Sequence, residues 1–115
     1  MRQSDLGEFE ELVLLAIGVL HPDAYSVVIA EQLELETGKK ITTGAVHASL
    51  QRLEKKGYVT SEMGEASAKR GGRRKRLYTI TIAGSKILHD VHEVRANLWS
   101  KLSPESLPNF NFQQL

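Results

Sequence analysis

The sequence predicts a mostly α-helical domain that carries one small β-hairpin in its second half. Three observations indicate this fold class. Apolar residues recur at helical spacing in four separate segments. Two short stretches enriched in β-branched residues lie between the third and fourth of these segments. A basic segment that contains the pair Gly71 and Gly72 separates the two stretches and marks a turn. At 115 residues, the chain is long enough for one domain with a modest core.

The first predicted helix runs from Gly7 to Leu20 and has Glu8, Glu10 and Glu11 in its first turn, where the helix dipole favours anions. Residues 12–20 are apolar on nearly every side, so this helix must be covered on more than one face. We therefore expect it either at the centre of the core or shared with a second subunit. The run is too short to cross a bilayer, and no membrane partner is predicted.

The second predicted helix follows the break at Pro22 and runs from about Ala24 to Thr37. Its apolar face is set by Tyr25, Val28, Ile29 and Leu33, which recur at helical spacing. Gly38 supplies the expected C-terminal cap, because glycine adopts the left-handed conformation that ends many helices.

The third predicted helix is capped by Thr42 and runs to about Lys56, before Gly57. Apolar residues at i, i+4 and i+7 define its buried face, and these are Val46, Leu50 and Leu53. At 100° per residue, the opposite face combines small residues with hydrogen-bonding ones. They are Gly44, His47, Ala48, Gln51 and Lys55, with Arg52 beside them.

The two predicted strands are Tyr58–Glu62 and Leu77–Thr81, so the basic glycine-containing segment forms the tip of a hairpin. A fourth helix is expected from Ala83 to about Leu102. It carries an apolar stripe made of Ile87, Val91, Val94, Leu98 and Leu102.

This order of elements is typical of a winged helix-turn-helix domain with an added C-terminal helix. We expect residues 1–82 to form the winged-helix domain, residues 83–103 to form a C-terminal dimerisation helix and residues 104–115 to form a tail.

The charge is distributed unevenly, although the net charge is only +1. Residues 1–37 contain one basic and eight acidic side chains, whereas residues 38–76 contain eleven basic and three acidic ones. Six of the eight residues from Lys69 to Arg76 are cationic. Such polarity predicts one face that binds a polyanion and another that avoids it.

The third helix and the hairpin tip together contain the residue types that binding to double-stranded DNA requires. Small residues on the helix allow close approach to a groove, Gln51 can pair with adenine, and Arg52 or Lys55 can reach guanine or phosphate. The hairpin cations can flank phosphates or enter the minor groove. The predicted DNA-binding residues are Thr42, Thr43, Gly44, His47, Gln51, Arg52, Lys55, Lys69, Arg70, Arg73, Arg74, Lys75 and Arg76.

Several classes of protein are disfavoured by the sequence. The chain has no cysteine, which excludes disulfides and thiolate metal sites and fits a cytoplasmic location. It has no phosphate-binding glycine loop and no nucleophile elbow. We therefore predict no enzymatic activity, no catalytic residue, no cofactor and no metal.

Two alternatives stay open from the residues alone. The domain could dock a protein partner and use its basic hairpin only for solubility, because charged edges also prevent aggregation. It could instead be a small enzyme or metal protein that uses His89 and His92, which lie at i and i+3 beside Glu93.

Three segments resemble the PadR family of winged-helix transcriptional regulators, in the same order. They are "LGEFEELVLLAI" (6–17), "ITTGAVHASLQRLEKKGYV" (41–59) and "GGRRKRLYTITIAG" (71–84), and the resemblance covers nearly all of residues 6–95. It implies a DNA-binding homodimer, usually a repressor, whose third helix enters the major groove and whose wing contacts the flanking backbone; its operator would be palindromic. Family members often have tyrosine in place of His47.

The resemblance also implies dimerisation through the last helix, often against the first helix of the partner. That fits the apolar first helix and the stripe on the fourth. The predicted interface residues are Leu12, Leu15, Val91, Val94, Leu98, Trp99 and Leu102. Some short members bind aromatic drugs, as small-molecule inducers, in a dimer pocket near a tryptophan of this helix. Trp99 is on the predicted fourth helix, where a lone tryptophan more often packs in an interface than lines a ligand pocket. The sequence names neither the inducer nor the operator.

Overall fold

The computed structural model describes residues 6–64 and 74–107, which form four α-helices, two β-strands and a short 3₁₀ turn. The helices are α1 (Glu8–Leu20), α2 (Ser26–Thr37), α3 (Thr43–Lys55) and α4 (Ile82–Ser100). The strands β1 (Val59–Met63) and β2 (Arg76–Ile80) lie between α3 and α4. The predicted fold class is therefore confirmed.

The ends of the helices follow local capping chemistry. Thr42 caps α3, because its hydroxyl accepts a hydrogen bond from the backbone N–H of Ala45 at 3.1 Å. Gly38 ends α2 with a φ of 70°, as its position in the sequence predicts. Thr81 caps α4 in the same way as Thr42 caps α3, accepting from the N–H of Gly84 at 3.0 Å. The expected second strand therefore ends one residue early, since Thr81 serves the helix.

The core is built around α1, which contacts α2, α3, β2 and α4. Val13, Leu14 and Ile17 are fully buried there, whereas Leu12 and Leu15 remain exposed on another face of the same helix. The expectation that α1 must be covered on more than one face is thus met within one chain. None of the helices in the described ranges is long and apolar enough to span a membrane.

The hairpin is a two-stranded antiparallel sheet whose register pairs Val59 with Ile80 and Met63 with Arg76. Val59 and Tyr78 face the core and are buried, whereas Thr60 and Thr79 form an exposed pair on the other face. The sheet therefore packs one face on the core and leaves the other open to solvent.

The first turn of α4 packs closely on the start of the hairpin. A β carbon at Gly84 would lie 2.9 Å from Ile80 Cγ2 and would overlap the carbonyl oxygen of Tyr58, so only glycine fits. Further along, Ile87 is buried in the core together with Val91. Val91, which the sequence analysis assigned to the dimer surface, is thus part of the chain's own core, because the first half of α4 lies on the domain.

Candidate nucleic-acid interface

One face of α3 is exposed along its whole length. Burial of Val46, Leu50 and Leu53 fixes the rotation of the helix about its axis. That rotation leaves most of the sequence-predicted residues of α3 and its cap exposed, and they are Thr42, Thr43, Gly44, His47, Gln51 and Lys55. Ala48 is half-buried. The helix therefore offers a continuous polar strip next to small side chains.

Gly44 lies on this strip, and nothing in the described part of the chain packs against it. A β carbon built there would meet no atom within 4 Å. The chain's own packing therefore gives no reason for a glycine at this position. A glycine here lets an external surface approach the helix backbone more closely than a larger residue would.

The base of the hairpin presents exposed cations beside the helix. Arg74 Nε donates to the carbonyl oxygen of Gly64 at 3.0 Å, and Arg76 Nη1 donates to Ser61 Oγ at 3.1 Å. Both guanidinium groups are thereby oriented by the hairpin itself. The other predicted wing residues, Lys69, Arg70 and Arg73, lie outside the described residues.

Lys75 is oriented by Tyr25, the residue that precedes α2. Its ammonium donates to the Tyr25 hydroxyl at 3.2 Å and lies 4.3 Å from the centre of the ring. The spacing of apolar residues predicts Tyr25 on the apolar face of α2 and gives no sign of this role. Tyr25 instead has an extended backbone, with a φ of −126°, and is the N-cap residue of the helix.

A cleft of about 320 Å³ joins the hairpin base to α3. Its lining combines the first residues of α2, one residue of α3 and the hairpin, namely Tyr25, Ser26, Val27, His47, Arg74, Lys75, Arg76 and Tyr78. His47 is thus brought together with three cations of the hairpin. Burial, with a smaller contribution from the negative charge of Glu54, raises the pKa of Tyr78, so its hydroxyl is neutral at physiological pH.

Arg52 differs from its neighbours on α3, because its side chain, although half-exposed, donates hydrogen bonds to acceptors of the same chain. Its Nε donates to Glu10 Oε2 at 3.0 Å and its Nη2 donates to the buried Ser49 Oγ at 3.1 Å. From the sequence, Arg52 is predicted to contact DNA and Glu10 to interact with the dipole of α1. The two residues are 42 positions apart, so no local pattern could pair them.

Glu10 is the acceptor at the centre of this contact. Its side chain is 6% exposed, and its Oε1 accepts from Lys56 Nζ at 2.8 Å and from the N–H of Gly7 at 2.7 Å. Burial by itself would raise the pKa of Glu10, but these hydrogen bonds and the one from Arg52 outweigh it and lower the pKa overall. The carboxylate is therefore ionised at neutral pH.

Apolar side chains are exposed away from the α3 strip. Leu12, Leu15 and Val19 of α1 line a groove of about 300 Å³ against α2. The second half of α4 exposes a further set, which consists of Val94, Leu98, Trp99 and Leu102. Except for Val91, the residues that the sequence analysis assigned to a dimer interface are therefore at the surface.

The structure does not support the alternative of a metal protein. In residues 6–64 and 74–107, no three His, Cys, Asp or Glu side chains lie close enough together to hold a metal ion. His89 Nδ1 lies 3.8 Å from Asp90 Oδ1 on the exposed side of α4. This contact is between neighbours in sequence, and in the described part of the chain no further ligand completes a group of three around it.

A third helix exposed beside the base of a two-stranded hairpin defines a winged helix-turn-helix protein. The chain belongs to the family described as "Transcriptional regulator PadR-like family", whose model matches residues 14–90. A comparison with curated proteins gave no match.

Solved structures of similar fold include PadR-family regulators. A PadR family transcription regulator from Clostridium difficile R20291 is 22% identical with a TM-score of 0.67, covering 89% of this chain and 100% of that one. A PadR family regulator from Eggerthella lenta DSM 2243 is also 22% identical, with a TM-score of 0.65, covering 89% and 88%. PadR of Bacillus subtilis in complex with operator DNA is 19% identical, with a TM-score of 0.58, covering 85% and 63%.

Proposed function

We propose that this protein is a cytoplasmic, sequence-specific DNA-binding regulator that acts as a homodimeric repressor on a palindromic operator. The observation that carries the proposal is the cleft in which His47 of α3 faces the cations of the hairpin base. A surface of this kind can contact base edges and phosphates of one duplex at the same time. The B. subtilis PadR structure, solved with operator DNA, supports the proposal through its similar fold.

In this proposal, α3 enters the major groove with its exposed strip. Gly44 allows the helix to approach the groove floor, and Gln51 pairs with an adenine through N6 and N7. His47, from the same strip, contacts the DNA beside the hairpin. The buried residues on the far side of α3 hold this orientation before any DNA is bound.

The hairpin supplies affinity that depends little on sequence. Arg74, Lys75 and Arg76 at its base, together with the cations of residues 69–73, neutralise phosphates and release their counterions. The acidic side chains of residues 1–37 would be repelled by the phosphates of the duplex. This division of charge favours one orientation of the domain on DNA.

Homodimer formation is supported by the exposed apolar side chains of α1 and α4. Leu12 and Leu15 line the groove on α1, and Leu98 and Leu102 project from the second half of α4. Burying one such side chain contributes about 1.5–3 kcal/mol, so several from each chain can offset the entropy of association. A dimer would present two copies of α3 to two half-sites, about one helical turn apart.

The proposal is tested by identifying the bound sites in the genome of origin and then measuring affinity for one such site across a range of salt concentrations. We expect a palindromic motif and a steep linear fall of log affinity with log salt, because counterion release drives the binding. A protein-docking module that carries its basic hairpin only for solubility would enrich no motif and would show almost no salt dependence.

A further inference from the structure

Glu10 joins α1 to the C-terminal end of α3 through one cation of that helix and one immediately after it. Arg52 binds one carboxylate oxygen at 3.0 Å, and Lys56, immediately after α3, binds the other at 2.8 Å. Because Arg52 and Lys56 are four residues apart, they project from the same side of the helix on successive turns. The carboxylate is therefore held against α3 at two points along the helix axis.

This contact restricts the movement of α3 in a way that apolar packing alone does not. Sliding or rotating α3 against α1 would separate Glu10 from at least one of its cations. The carboxylate is 6% exposed, so an unpaired charge there would be costly because water cannot replace the lost donor. Arg52 also donates to Ser49 Oγ, one turn earlier on α3, which further fixes the guanidinium.

Arg52 faces α1 through this contact, although its side chain is 55% exposed. Its Nε and Nη2 are both directed at acceptors of the same chain. Lys55 carries the same charge three residues later and lies on the exposed strip. Arg52 therefore bonds to acceptors of its own chain, whereas Lys55 lies on the surface proposed to contact DNA.

We propose that Glu10 is a positioning residue for DNA recognition, which fixes the register of α3 against α1 and maintains the rotation set by its apolar face, and that Arg52 acts through Glu10 instead of contacting DNA. The proposal rests on the proposed function, since it names the residues that orient the proposed recognition helix. It separates cations that hold the helix, Arg52 and Lys56, from a cation that contacts DNA, Lys55.

The proposal is tested by a double-mutant cycle with Arg52→Ala, Glu10→Gln and the double variant, with Lys55→Ala as the matched control. Affinity for the operator and for random duplex is measured over a salt series. We expect each single variant to lower the ratio of operator to random affinity by about tenfold, within the range found for coupled neighbours. The double variant should lose no more than the worse single one. Arg52→Ala should keep the wild-type salt slope, whereas Lys55→Ala should reduce it by about one.

A direct role of Arg52 on DNA gives the opposite results. Arg52→Ala would then reduce the salt slope, and Glu10→Gln would keep or tighten binding, because it releases the guanidinium from its partner. Either result overturns the proposal. Circular dichroism and thermal unfolding establish that each variant is folded at the temperature of the binding assay. Should Glu10→Gln fail to fold, Arg52→Ala decides the question through its salt slope, with Lys55→Ala as the control.

The proposed function is tested separately, by measuring how the wild-type protein binds operator and random duplex. A wild type that binds no duplex in a salt-dependent manner overturns both proposals. A wild type that prefers its operator, with variants whose ratio of operator to random affinity is unchanged, overturns only the positioning role of Glu10.

Discussion

Tyr25 and Lys75 are fifty residues apart in the chain and meet at the base of the hairpin, where the ammonium lies 4.3 Å from the centre of the aromatic ring. The contact ties the hairpin to the N-terminal end of α2, which precedes the proposed recognition helix. Cation–π contacts of partly exposed groups contribute about 0.5–1 kcal/mol. The orientation of the wing is thereby linked to that of the helix-turn-helix unit.

Replacing Tyr25 with alanine should weaken binding to operator and random DNA by a similar factor of about two to five, since the ring contributes about 0.5–1 kcal/mol to the position of the hairpin. Tyr25→Phe keeps the ring and removes only the hydroxyl, so it should bind nearly as well as the wild type. Fluorescence anisotropy at one fixed salt concentration measures both effects. A loss confined to the operator would mean that Tyr25 serves base recognition and not the wing.

Replacing Gln51 with alanine should cost about 1–3 kcal/mol on the operator and leave random duplex nearly unaffected, because an amide that pairs with adenine reads sequence and not charge. Competition titrations with operator and random fragments measure the two affinities side by side. Equal losses on both fragments would indicate a contact to the DNA backbone in place of one to a base.

The start, the buried face and the exposed strip of α3 could be predicted, because the residues that determine them lie close together in the sequence. Thr42 precedes the helix as a cap, and the spacing of Val46, Leu50 and Leu53 defines its buried face, which in turn defines the exposed strip. Capping and periodicity involve residues within two turns of one another, so a single sequence contains all the information.

The contacts that orient these elements could not be predicted in the same way. Glu10 and Arg52 are brought together by the packing of α1 on α3, and their charges alone give no reason to choose this pair among the many acids and bases of the chain. The stripe on α4 shows a related limit. Periodicity places Val91 on an apolar face, but only the position of α4 on the domain shows that Val91 lies in the core and Leu98 at the surface.

The stability of the protein should depend on pH through Glu10. Its pKa is lower in the folded chain than its ordinary value of 4.5, so its stabilising contribution is present above about pH 4.5 and is lost as the pH falls through the folded pKa. At pH 7, Glu10→Gln should unfold at lower urea concentration, with a loss of about 1.5–3 kcal/mol, the range for hydrogen bonds to charged groups. The wild-type and variant free energies of unfolding should converge as the pH falls below 4.5 and through the lowered pKa of folded Glu10. Parallel profiles over this range would show that the ionised carboxylate contributes nothing.

Replacing Leu98 with aspartate should convert the protein to a monomer and abolish operator binding, because a charge would enter the proposed apolar interface. The side chain is 65% exposed in the single chain, so the fold of the domain should persist. Ser100→Asp, which adds the same charge at another exposed position of α4, is the matched control and should remain dimeric. Sedimentation of the three proteins at low micromolar concentration gives their masses. A wild type that sediments as a monomer would contradict the dimer.

The start of α4 is hydrogen-bonded to Gly57 and Tyr58, which lie between α3 and β1. Thr81 donates from its backbone N–H to the carbonyl oxygen of Tyr58 at 3.0 Å and from its hydroxyl to that of Gly57 at 2.7 Å, and Gly84 leaves no room between the helix and this backbone. The helix proposed to join two subunits therefore departs from the end of the recognition helix and not from the hairpin tip. In a dimer joined by α4, the distance between the two recognition helices would then be fixed by the fold and not by a flexible connection. The affinity of such a protein for its operator would depend on the spacing of the two half-sites as strongly as on their sequence. One base pair inserted between them, which adds about 3.4 Å and rotates one half-site around the duplex, should reduce binding to that of random DNA.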